Sequence, residues 1–422
     1  MLSPDSAAHN PQAQFRWYLA GVGSWFASFG LQSVIVMYLI TTVLHASPMG
    51  VSIAQASMNL PAVLLLLVGG AVADHLDNRS VLLVLHSLAA IPAALLAATV
   101  SFGWLSFEWL VAYGLAMGTV SGFIMPAREA MLGRVIVHDR EGAVQRAVTN
   151  MLGVQFLAQM VGMAASTFAR VVGIAPLLVA QSVIQLFGAY AVYNLAPAPA
   201  RHADEKHSVR MHLARIADGL REVAHSPSLL PVTVVTFAIG VLLVGSFMVV
   251  LPLIIREEYG GTVVQYALLS LAFWGGSIIA SLSIGRFGNI RERGRMITLA
   301  IVIGGGILMV MSIRTSMPVF YGLVFLWGTG AGIMISMART IVQENAPPGH
   351  LARVMSVYQL GFTGGMPIGA VLLGPVVTQL GARTAALVPG GLMLVVLGLL
   401  LVSTQLWTIR SPARREALAP AD

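Results

Sequence analysis

The sequence contains no cysteine and few charged residues. Of its 422 residues, 10% are charged and 57% are hydrophobic, whereas an ordinary soluble domain has roughly 25% charged residues. So few charges cannot cover a water-exposed surface, which excludes a soluble globular protein. The absence of cysteine excludes a disulfide framework, a thiolate metal site and a cysteine nucleophile.

Positive charge is in modest excess but is not concentrated. The 24 Lys and Arg residues outnumber the 17 Asp and Glu residues, and they are scattered over short loops instead of forming the patch that nucleic acid requires. The loops contain no nucleotide-binding motif, metal-ligand cluster or nucleophile arrangement. We therefore predict a protein that is not an enzyme, has no cofactor or metal, and does not bind nucleic acid.

Apolar runs long enough to cross a bilayer occur twelve times. A hydrocarbon core of about 30 Å requires about 20 apolar residues per helix. In the first half the predicted spans are Trp17–Leu44, Gly50–Ala73, Ser80–Val100, Phe107–Leu132, Ala143–Phe168 and Ile174–Leu195. In the second half they are Leu230–Ile255, Val263–Ile284, Met296–Ile313, Pro318–Val342, Val354–Leu380 and Thr384–Trp407. The first run is too long for the core of a signal peptide, so its helix is expected to stay in the membrane.

The loops differ in charge between the two sides of the membrane. On one side of the membrane, the only Lys or Arg residues in the loops are Arg170, Arg256, Arg314 and Arg383. Loops and tail on the other side, here called the basic side, contain Arg79, Arg134, Arg140, Arg146, Arg286, Arg291, Arg293, Arg295, Arg353, Arg410, Arg414 and Arg415. The positive-inside rule predicts that the basic side is cytoplasmic. Both termini are then cytoplasmic, in an inner (cytoplasmic) cell membrane.

The longest loop joins the two sets of six spans. Within it, apolar residues recur at steps of three and four, at Val209, Leu213, Ile216, Leu220 and Val223. This spacing predicts an amphipathic helix on the inner leaflet, with a tethering role favoured over a regulatory one. The predicted domains are a first bundle (1–195), a linker (196–228), a second bundle (229–407) and a cytoplasmic tail (408–422).

The two halves resemble each other. At an offset of 211 residues, Pro126-Ala127-Arg128 aligns with Met337-Ala338-Arg339, and Gly153 aligns with Gly364. The segment 70–77 falls on 281–288 at the same offset. Transporters are often built from two such parallel repeats. We therefore predict two pseudo-symmetric six-helix bundles.

The turn after the second span contains Gly70, Asp74, His75, Asp77 and Arg79. It resembles the signature of the major facilitator superfamily: Gly, three residues, Asp, a basic residue, any residue, Gly, then basic residues. Gly70 and Asp74 match it, His75 stands for the first basic residue, Asp77 replaces the second Gly, and Arg79 supplies the closing cation. The second copy keeps Arg286 and Gly288 but lacks the carboxylate. This resemblance implies the major facilitator fold and a gating role for these residues. The alternative is that Asp74 only ends a helix in a polar turn.

The segments around Pro126-Ala127-Arg128-Glu129-Ala130 and Ala346-Pro347-Pro348 are similar to the branch of that superfamily that includes the enterobactin exporter and macrolide efflux proteins. This resemblance implies efflux of a drug, siderophore or metabolite. Many multidrug antiporters also have an Arg in mid fourth helix and a Gly-Pro pair late in the fifth. Both are missing here, which weakens the case for proton antiport.

Few ionisable residues fall inside the spans, where each is a functional candidate. Arg128 and Arg339 occupy equivalent positions, and we predict gating pairs with Asp74, Glu129 or Glu344; the alternative is that they reach the lipid headgroups. His86 is a candidate proton carrier because the unperturbed histidine side chain titrates near neutral pH. Its alternative role is packing between helices.

Uncharged polar and aromatic residues are the candidates for contact with cargo. Four- and three-residue spacings place several of them on single helix faces, and helix–helix hydrogen bonding is the alternative use of the same residue types. The predicted cavity residues are Ser28, Gln32, Gln55, Asn59, Gln155, Gln159, Thr236, Trp274, Trp327 and Gln359. A neutral lining of this kind favours an amphipathic organic molecule over an inorganic ion.

We therefore predict a secondary active exporter that acts as a monomer in the lipid bilayer, by rocking of its two halves, with proton antiport as the candidate coupling. Uptake by symport and uncoupled facilitation are the alternative transport modes. A membrane receptor or scaffold is the alternative from another class of function.

Overall fold

The computed structural model describes residues 11–136, 143–197, 218–286, 290–347 and 350–410. The described residues fold into helices, and no strand occurs among them. Twelve of the helices are long and apolar enough to span a membrane. The predicted all-α membrane protein with twelve spans is confirmed.

Six long helices lie in the first half of the chain. They are α1 (Pro11–Val43, ending in a π-helical turn Leu39–Val43), α2 (Pro48–His75), α3 (Asn78–Ser101), α4 (Phe107–Val135), α5 (Ala143–Ala165, extended by Ser166–Phe168 and Ala169–Val172) and α6 (Ile174–Tyr193).

Six more follow in the second half. They are α7 (Leu229–Glu258, with a π-helical segment Ile239–Val244), α8 (Val263–Arg286), α9 (Arg293–Val310), α10 (Met317–Asn345), α11 (Leu351–Leu380) and α12 (Ala382–Ser403).

Some helices extend beyond the apolar runs that predicted them, whereas α6, α9 and α12 end two to four residues before the predicted ends. The helix α1 begins at Pro11, six residues before the predicted Trp17, and α10 ends at Asn345, three residues after Val342. Hydropathy detects only the part of a helix that suits the hydrocarbon core. Polar residues continue the backbone hydrogen bonding into the interface and are invisible to that criterion.

By contacts, the described residues fall into two compact units. The first, unit 1, contains the described residues up to 197 together with Ile255–Leu271, and unit 2 contains residues 218–254 and 272–410. These boundaries differ from the predicted ones because the end of α7 and the start of α8 group with unit 1. The division into domains at 195 and 228 stays a prediction.

Close helix pairs in unit 1 depend on glycine. The pair α1–α5 crosses at Gly30 and Gly162, and the pair α2–α4 crosses at Gly118, where an added Cβ would lie closer than 3 Å to a backbone carbonyl oxygen of the partner helix. The third pair, α3–α6, is joined by a hydrogen bond from Ser182 Oγ to the Ala90 carbonyl (2.8 Å). Small residues allow this close approach in lipid, where no water drives helices together.

Unit 2 repeats this pairing six helices later. An added Cβ would collide with a partner carbonyl at Gly369 in α11 against α7, at Gly328 in α10 against α8, and at Gly390 in α12 against α9. The pairs 7–11, 8–10 and 9–12 therefore correspond to 1–5, 2–4 and 3–6. This is the arrangement that a duplicated six-helix unit produces.

The linker is described only in its last part, where residues 218–225 are helical. Val223 is buried and Leu220 is exposed. Asp218 pairs with Arg353 (3.6 Å) and Glu222 with His350 (3.1 Å) at the start of α11. Val209, Leu213 and Ile216 lie outside the described residues, so the full amphipathic face stays a prediction.

Candidate functional site

The turn between α2 and α3 is organised by Asp77. Its carboxylate caps α3 by accepting hydrogen bonds from the backbone N–H groups of Arg79 (3.4 Å) and Ser80 (3.2 Å). It also accepts a hydrogen bond from Arg134 Nη1 at the end of α4 (3.0 Å). Burial raises the pKa of Asp77, but the hydrogen bonds from Ser80, Arg134 and Arg79 outweigh it and hold the pKa below its ordinary value. The residue that replaces the second signature Gly thus joins α3 to α4.

Arg79 joins the same turn to α6. Its Nη2 donates to the carbonyl oxygen of Tyr193 (2.6 Å), and its guanidinium lies 5.3 Å from the centre of the Tyr193 ring. This is a hydrogen bond and a cation–π contact to one residue. The closing cation of the signature therefore holds the basic-side end of α6.

Other signature residues are only partly described. Gly70 lies in α2 with open space where a Cβ would stand. The backbones of Asp74 and Arg286 are helical, but their side chains lie outside the described residues. Gly288 lies entirely outside them. Their gating roles stay predictions.

Arg128 is buried at the basic-side end of α4. Its relative exposure is 9%, its Nη2 donates to Glu129 Oε1 (2.7 Å), and its guanidinium lies 4.9 Å from the centre of the Phe26 ring. The hydroxyl of Tyr18 donates to its backbone carbonyl oxygen (3.3 Å). The Nε–H of Arg128 is buried, and it has no hydrogen-bond partner among the described residues.

His86 is enclosed between α1, α3 and α6. It is 2% exposed, and its Nδ1 lies 2.9 Å from Gln185 Oε1. The Gln185 amide nitrogen in turn donates to Ser28 Oγ (2.9 Å). The ring meets Trp25 edge to face, with 6.2 Å between the ring centres. The structure therefore brings the candidate proton carrier together with a predicted cargo residue, Ser28.

A second polar group lies farther along α1 and α6 and includes Tyr113 of α4. Tyr113 Oη donates to Gln32 Oε1 (2.7 Å), and Gln181 Nε2 lies within hydrogen-bond distance of both Tyr113 Oη (2.7 Å) and Gln32 Oε1 (3.2 Å). All three residues are buried. Ser28 and Gln32 thus point into unit 1, where their polar atoms bind neighbouring helices.

The remaining polar candidates in unit 1 differ in exposure. Gln55 and Gln159 are buried, and within the described part of the chain Gln159 Nε2 has no hydrogen-bond partner. Asn59 and Gln155 are half-buried, and Arg128 Nη1 lies 3.5 Å from Gln155 Oε1. Asn59 and Gln155 are therefore the more exposed of the polar candidates in this unit.

Unit 2 contains a cluster of four aromatic rings, here called the aromatic cluster: Phe247 of α7, Phe273 and Trp274 of α8, and Trp327 of α10. Successive ring centres are 4.6 Å (Phe247–Phe273), 5.4 Å (Phe273–Trp327) and 5.8 Å (Phe273–Trp274) apart. Trp327 is 3% exposed and anchors the cluster, and the other three rings are half-buried. The half-buried rings can contact a ligand.

The other predicted residues of unit 2 lie apart from this cluster. Thr236 is fully buried and donates to the Val232 carbonyl oxygen (2.7 Å). Gln359 and Arg339 are exposed. Glu344, a predicted partner of Arg339, instead pairs with Arg293 at the start of α9.

Unit 1 has a further polar cluster on the side opposite the basic side, here called the α1–α8 cluster: Thr41, Thr42, Ala46, Arg256, Gly261 and Tyr266. Thr41 Oγ1 and Tyr266 Oη form a hydrogen bond (2.7 Å), and Thr42 donates to the Gly261 carbonyl oxygen (2.7 Å). Arg256 Nη1 donates to the Ala46 carbonyl oxygen (2.7 Å). These bonds fasten residues 255–271 to the end of α1.

Sequence reasoning missed the residues that complete these groups. Gln181 and Gln185 share one face of α6 at four-residue spacing, a signal visible in the sequence. Phe247 carried no such signal, because it is a single aromatic residue in an apolar run, and Phe273 lies directly beside the predicted cavity residue Trp274. Tyr266 looked like an ordinary interfacial aromatic residue.

Comparisons with known proteins agree with this architecture. The model of a family described as "transmembrane secretion effector" matches residues 7–419. Macrolide efflux protein A of Streptococcus pyogenes is 26% identical over 145 residues, 34% of this chain and 36% of that protein. Its counterpart from Enterococcus faecalis is 28% identical over 120 residues, 28% of this chain and 37% of that protein. The matched region thus spans little more than a third of either relative.

Solved transporters share the fold at low sequence identity. The nucleoside transporter NupG superposes with a TM-score of 0.69 at 13% identity, over 93% of this chain and 98% of that one. A POT family transporter in complex with a thioalcohol conjugated peptide gives 0.72 at 12% identity, over 92% and 94%.

Proposed function

The chain belongs to the transmembrane secretion effector family of the major facilitator superfamily, and from this we propose that it exports a small amphipathic organic molecule by alternating access of its two halves. Membrane transport follows from the family and the fold. Export, the class of cargo and the coupling ion are the proposal.

The aromatic cluster is the observation that carries the class of cargo. Three half-buried rings, Phe247, Phe273 and Trp274, offer flat apolar surface around the buried Trp327. Aromatic faces attract both apolar rings and cations. The counterparts of these residues at an offset of 211 are Val36, Ala62, Val63 and Ala116. Cargo binding is therefore expected to depend more on unit 2 than on unit 1.

We propose that half-buried or exposed residues with side-chain amides orient the cargo by binding its polar groups. Asn59 and Gln155 in unit 1 and Gln359 in unit 2 are the leading candidates, because they are half-buried or exposed. Ser28, Gln32, Gln55, Gln159 and Thr236 are buried, so cargo reaches them only if the helices around them separate. The names of the similar proteins make a macrolide such as erythromycin the first probe.

Gating is assigned to the basic side, which we take as cytoplasmic. Asp74, Gly70, Arg286 and Gly288 retain their proposed roles from the signature. Arg79, Arg128, Glu129 and Arg339 are charged residues at the same side, where ion pairs form and break at helix ends. Asp74→Asn and Arg128→Ala should insert normally and transport poorly. Wild-type transport by both variants would overturn the gating assignment.

Proton antiport through His86 is the proposed coupling. Proteoliposomes containing the purified protein and radiolabelled erythromycin test it directly, with an imposed pH gradient of either sign or none. Accumulation that follows an opposing proton gradient supports antiport. Accumulation with a parallel gradient indicates symport and uptake, and equilibration without accumulation indicates facilitation. If no tested compound were transported, a receptor or scaffold function would be favoured instead.

The monomer is the proposed functional unit, because the fold itself supplies both halves of a transporter. Its placement in the cytoplasmic membrane, with both termini inside, rests on the arginine asymmetry. Reporter fusions at each terminus and in the loop after α1 would test this topology. A terminal reporter that is active only outside the cell would place the termini outside. The proposed direction of transport would then be reversed.

A further inference from the structure

A group of arginines lies on the basic side of unit 2, where the chain after α12 returns to the start of α9. The group, here called the arginine patch, consists of three exposed residues: Arg291, Arg295 and Arg410. The backbone N–H of Gly294 donates to the carbonyl oxygen of Ile409 (3.0 Å), which joins the two segments that carry the patch. The function proposed above makes no use of these arginines.

The arginine patch carries more positive charge than its neighbours neutralise. Glu292 is the carboxylate beside it, and its oxygens lie 2.6 Å from Arg295 Nη1 and 4.0 Å from Arg410 Nη2. Arg291 has no ion-pair partner among the described residues. Three arginines therefore share one carboxylate, and two positive charges remain for an external anion. The Arg295 and Arg410 side chains are 44% and 70% exposed, so both are accessible from outside.

The patch stands at the end of a lipid-facing surface of α9. Beyond Arg295, the exposed residues of this helix are all apolar: Leu299, Val302, Met309 and Val310. Arg295, Leu299 and Val302 follow one another at steps of four and three, which places them on one face. An uninterrupted apolar surface on a span suits contact with acyl chains. The same face thus offers acyl-chain surface and, at its basic-side end, a cation.

Trp407 marks the level of the lipid headgroups beside the patch. Its side chain is 47% exposed, and the Arg295 guanidinium lies 5.2 Å from the centre of its ring. Tryptophan is enriched where the hydrocarbon core meets the headgroups, because its ring is apolar and its N–H is polar. Val402, which precedes it on α12, is 91% exposed. The order of apolar surface, tryptophan and arginines matches the order of acyl chain, glycerol region and phosphate in a lipid.

We propose that the arginine patch binds the phosphate of an anionic glycerophospholipid whose acyl chains lie along α9 and α12. A guanidinium group donates two parallel hydrogen bonds to phosphate, and clusters of basic residues at the cytoplasmic ends of spans bind anionic lipids. The surplus of positive charge favours a headgroup with a net negative charge over a zwitterionic one, whose phosphate already has an ammonium partner. This inference goes beyond the proposed export function and does not depend on it.

Unit 1 offers a matched position without the patch. At the offset of 211 residues, Arg295 of α9 falls on Val84 of α3, and Leu299 falls on Leu88. Leu299 is 54% exposed and Leu88 is 48% exposed. The two leucines are therefore equivalent lipid-facing positions, and only the one in unit 2 has an arginine one turn away on the same face.

Fluorescence quenching at these two positions tests the lipid directly. The chain has no cysteine, so Leu299→Cys and Leu88→Cys can each carry a single bimane label in the full-length protein. The labelled proteins are reconstituted in phosphatidylcholine vesicles that contain increasing fractions of brominated phosphatidylglycerol or brominated phosphatidylcholine. The preference for phosphatidylglycerol, measured as its association constant relative to phosphatidylcholine, should be about fivefold or more higher at position 299 than at position 88. Equal preferences at the two positions would overturn the proposal.

Substitutions then assign the preference to the patch. Arg295→Gln combined with Arg410→Gln should lower the preference at position 299 to that at position 88. Arg221→Gln is the matched control, because it removes an exposed charge of the linker helix on the same side and leaves the patch intact. Quenching by brominated phosphatidylcholine should be equal in all variants, which shows that each is inserted. A preference that survives the double substitution, or that falls equally in Arg221→Gln, would contradict the assignment.

A salt comparison separates the two sources of phosphate. Sodium chloride and sodium phosphate of equal ionic strength should weaken the preference equally, because both screen charge to the same extent. Selective loss in sodium phosphate would assign the patch to the free phosphate ion and overturn the lipid proposal. No cargo is used, so failure of this proposal leaves the export proposal standing, and failure of export leaves the lipid site standing.

Discussion

The carboxylate of Asp77 accepts a hydrogen bond from Arg134 at 3.0 Å while capping the first turn of α3. One side chain thereby satisfies the free N–H groups of a helix and ties that helix to its neighbour. In unit 2 the corresponding helices, α9 and α10, are joined by Arg293 and Glu344. In unit 1 the acidic partner precedes α3, whereas in unit 2 it belongs to α10, the counterpart of α4. Both halves therefore have an ion pair between the corresponding helices, but the acidic and basic residues have exchanged helices.

Two substitutions at Asp77 should separate its two roles. Asn caps helices about as well as Asp, so Asp77→Asn removes mainly the ion pair, which is partly exposed and contributes at most about 1 kcal/mol. Asp77→Ala removes the cap as well and should cost about 1 kcal/mol more. The free energy of unfolding in detergent measures both. Equal losses of unfolding free energy in Asp77→Asn and Asp77→Ala would show that the helix cap contributes nothing.

The same residue predicts a pH dependence of stability. Because hydrogen bonds hold the pKa of Asp77 below its ordinary value of about 3.9, its contribution is complete above that ordinary value and disappears as the pH falls through the lower, folded-state value. The stability difference between wild type and Asp77→Asn should stay constant from about pH 8 to pH 5 and shrink only below about pH 4. A difference that changes around neutral pH would assign the effect to another group.

Gly188 should tolerate no side chain, because α6 packs directly on His86 there. A Cβ added to Gly188 would lie 2.5 Å from His86 Nδ1 and 3.1 Å from the Cβ of Ser24. Gly188→Ala should therefore break the His86–Gln185 hydrogen bond and cost about 1–3 kcal/mol through overpacking. The matched control is Gly153→Ala in α5, where nothing lies within 4 Å of the added Cβ. Equal thermal unfolding midpoints for the two variants would contradict the close packing.

Removal of Trp274 should weaken cargo binding without unfolding unit 2. The ring is half-buried at the edge of the aromatic cluster, whereas Trp327 is its buried anchor. Trp274→Ala should weaken the binding of radiolabelled erythromycin about tenfold, since a lost aromatic contact and its area exceed about 1 kcal/mol. Trp104→Ala, which removes a 69% exposed indole of unit 1, should bind as wild type does. Matching affinities in both variants would move the cargo site away from the cluster.

Sequence predicted the spans well because lipid imposes a simple requirement: about 20 apolar residues must lie together along a helix. It predicted the duplicated architecture because Arg128 and Arg339 retain a common offset. It could not predict which way a polar face points. Ser28 and Gln32 share a face in either arrangement, and only the positions of Tyr113, Gln181 and Gln185 on other helices show that the face is turned into unit 1.

The role of Asp77 could have been found from the sequence alone. The superfamily signature has a glycine at this position, so Asp77 departs from the signature. Considered as an Asp directly before a helix, it is a strong N-cap. The burial of Arg128 had no such signal, because it depends on side chains of another helix, Tyr18 and Phe26 of α1.

The α1–α8 cluster yields the last prediction. Tyr266 is fully buried and its hydroxyl is hydrogen-bonded to Thr41. Tyr266→Phe should therefore weaken the attachment of residues 255–271 to α1 by about 1 kcal/mol and raise the fraction of molecules in which they are detached about fivefold. The natural absence of cysteine allows single-cysteine labelling with a membrane-impermeant maleimide.

The labelled positions differ in exposure. Val263→Cys lies at the start of α8 and is 5% exposed, whereas Val43→Cys lies at the end of α1 and is 42% exposed. Adding Tyr266→Phe should raise the labelling rate at position 263 about fivefold and leave that at position 43 unchanged. A rise at both positions would indicate general loosening, and a rise at neither would show that the hydroxyl does not hold residues 255–271 to α1. Only a selective rise shows that the Tyr266 hydroxyl holds residues 255–271 to the end of α1.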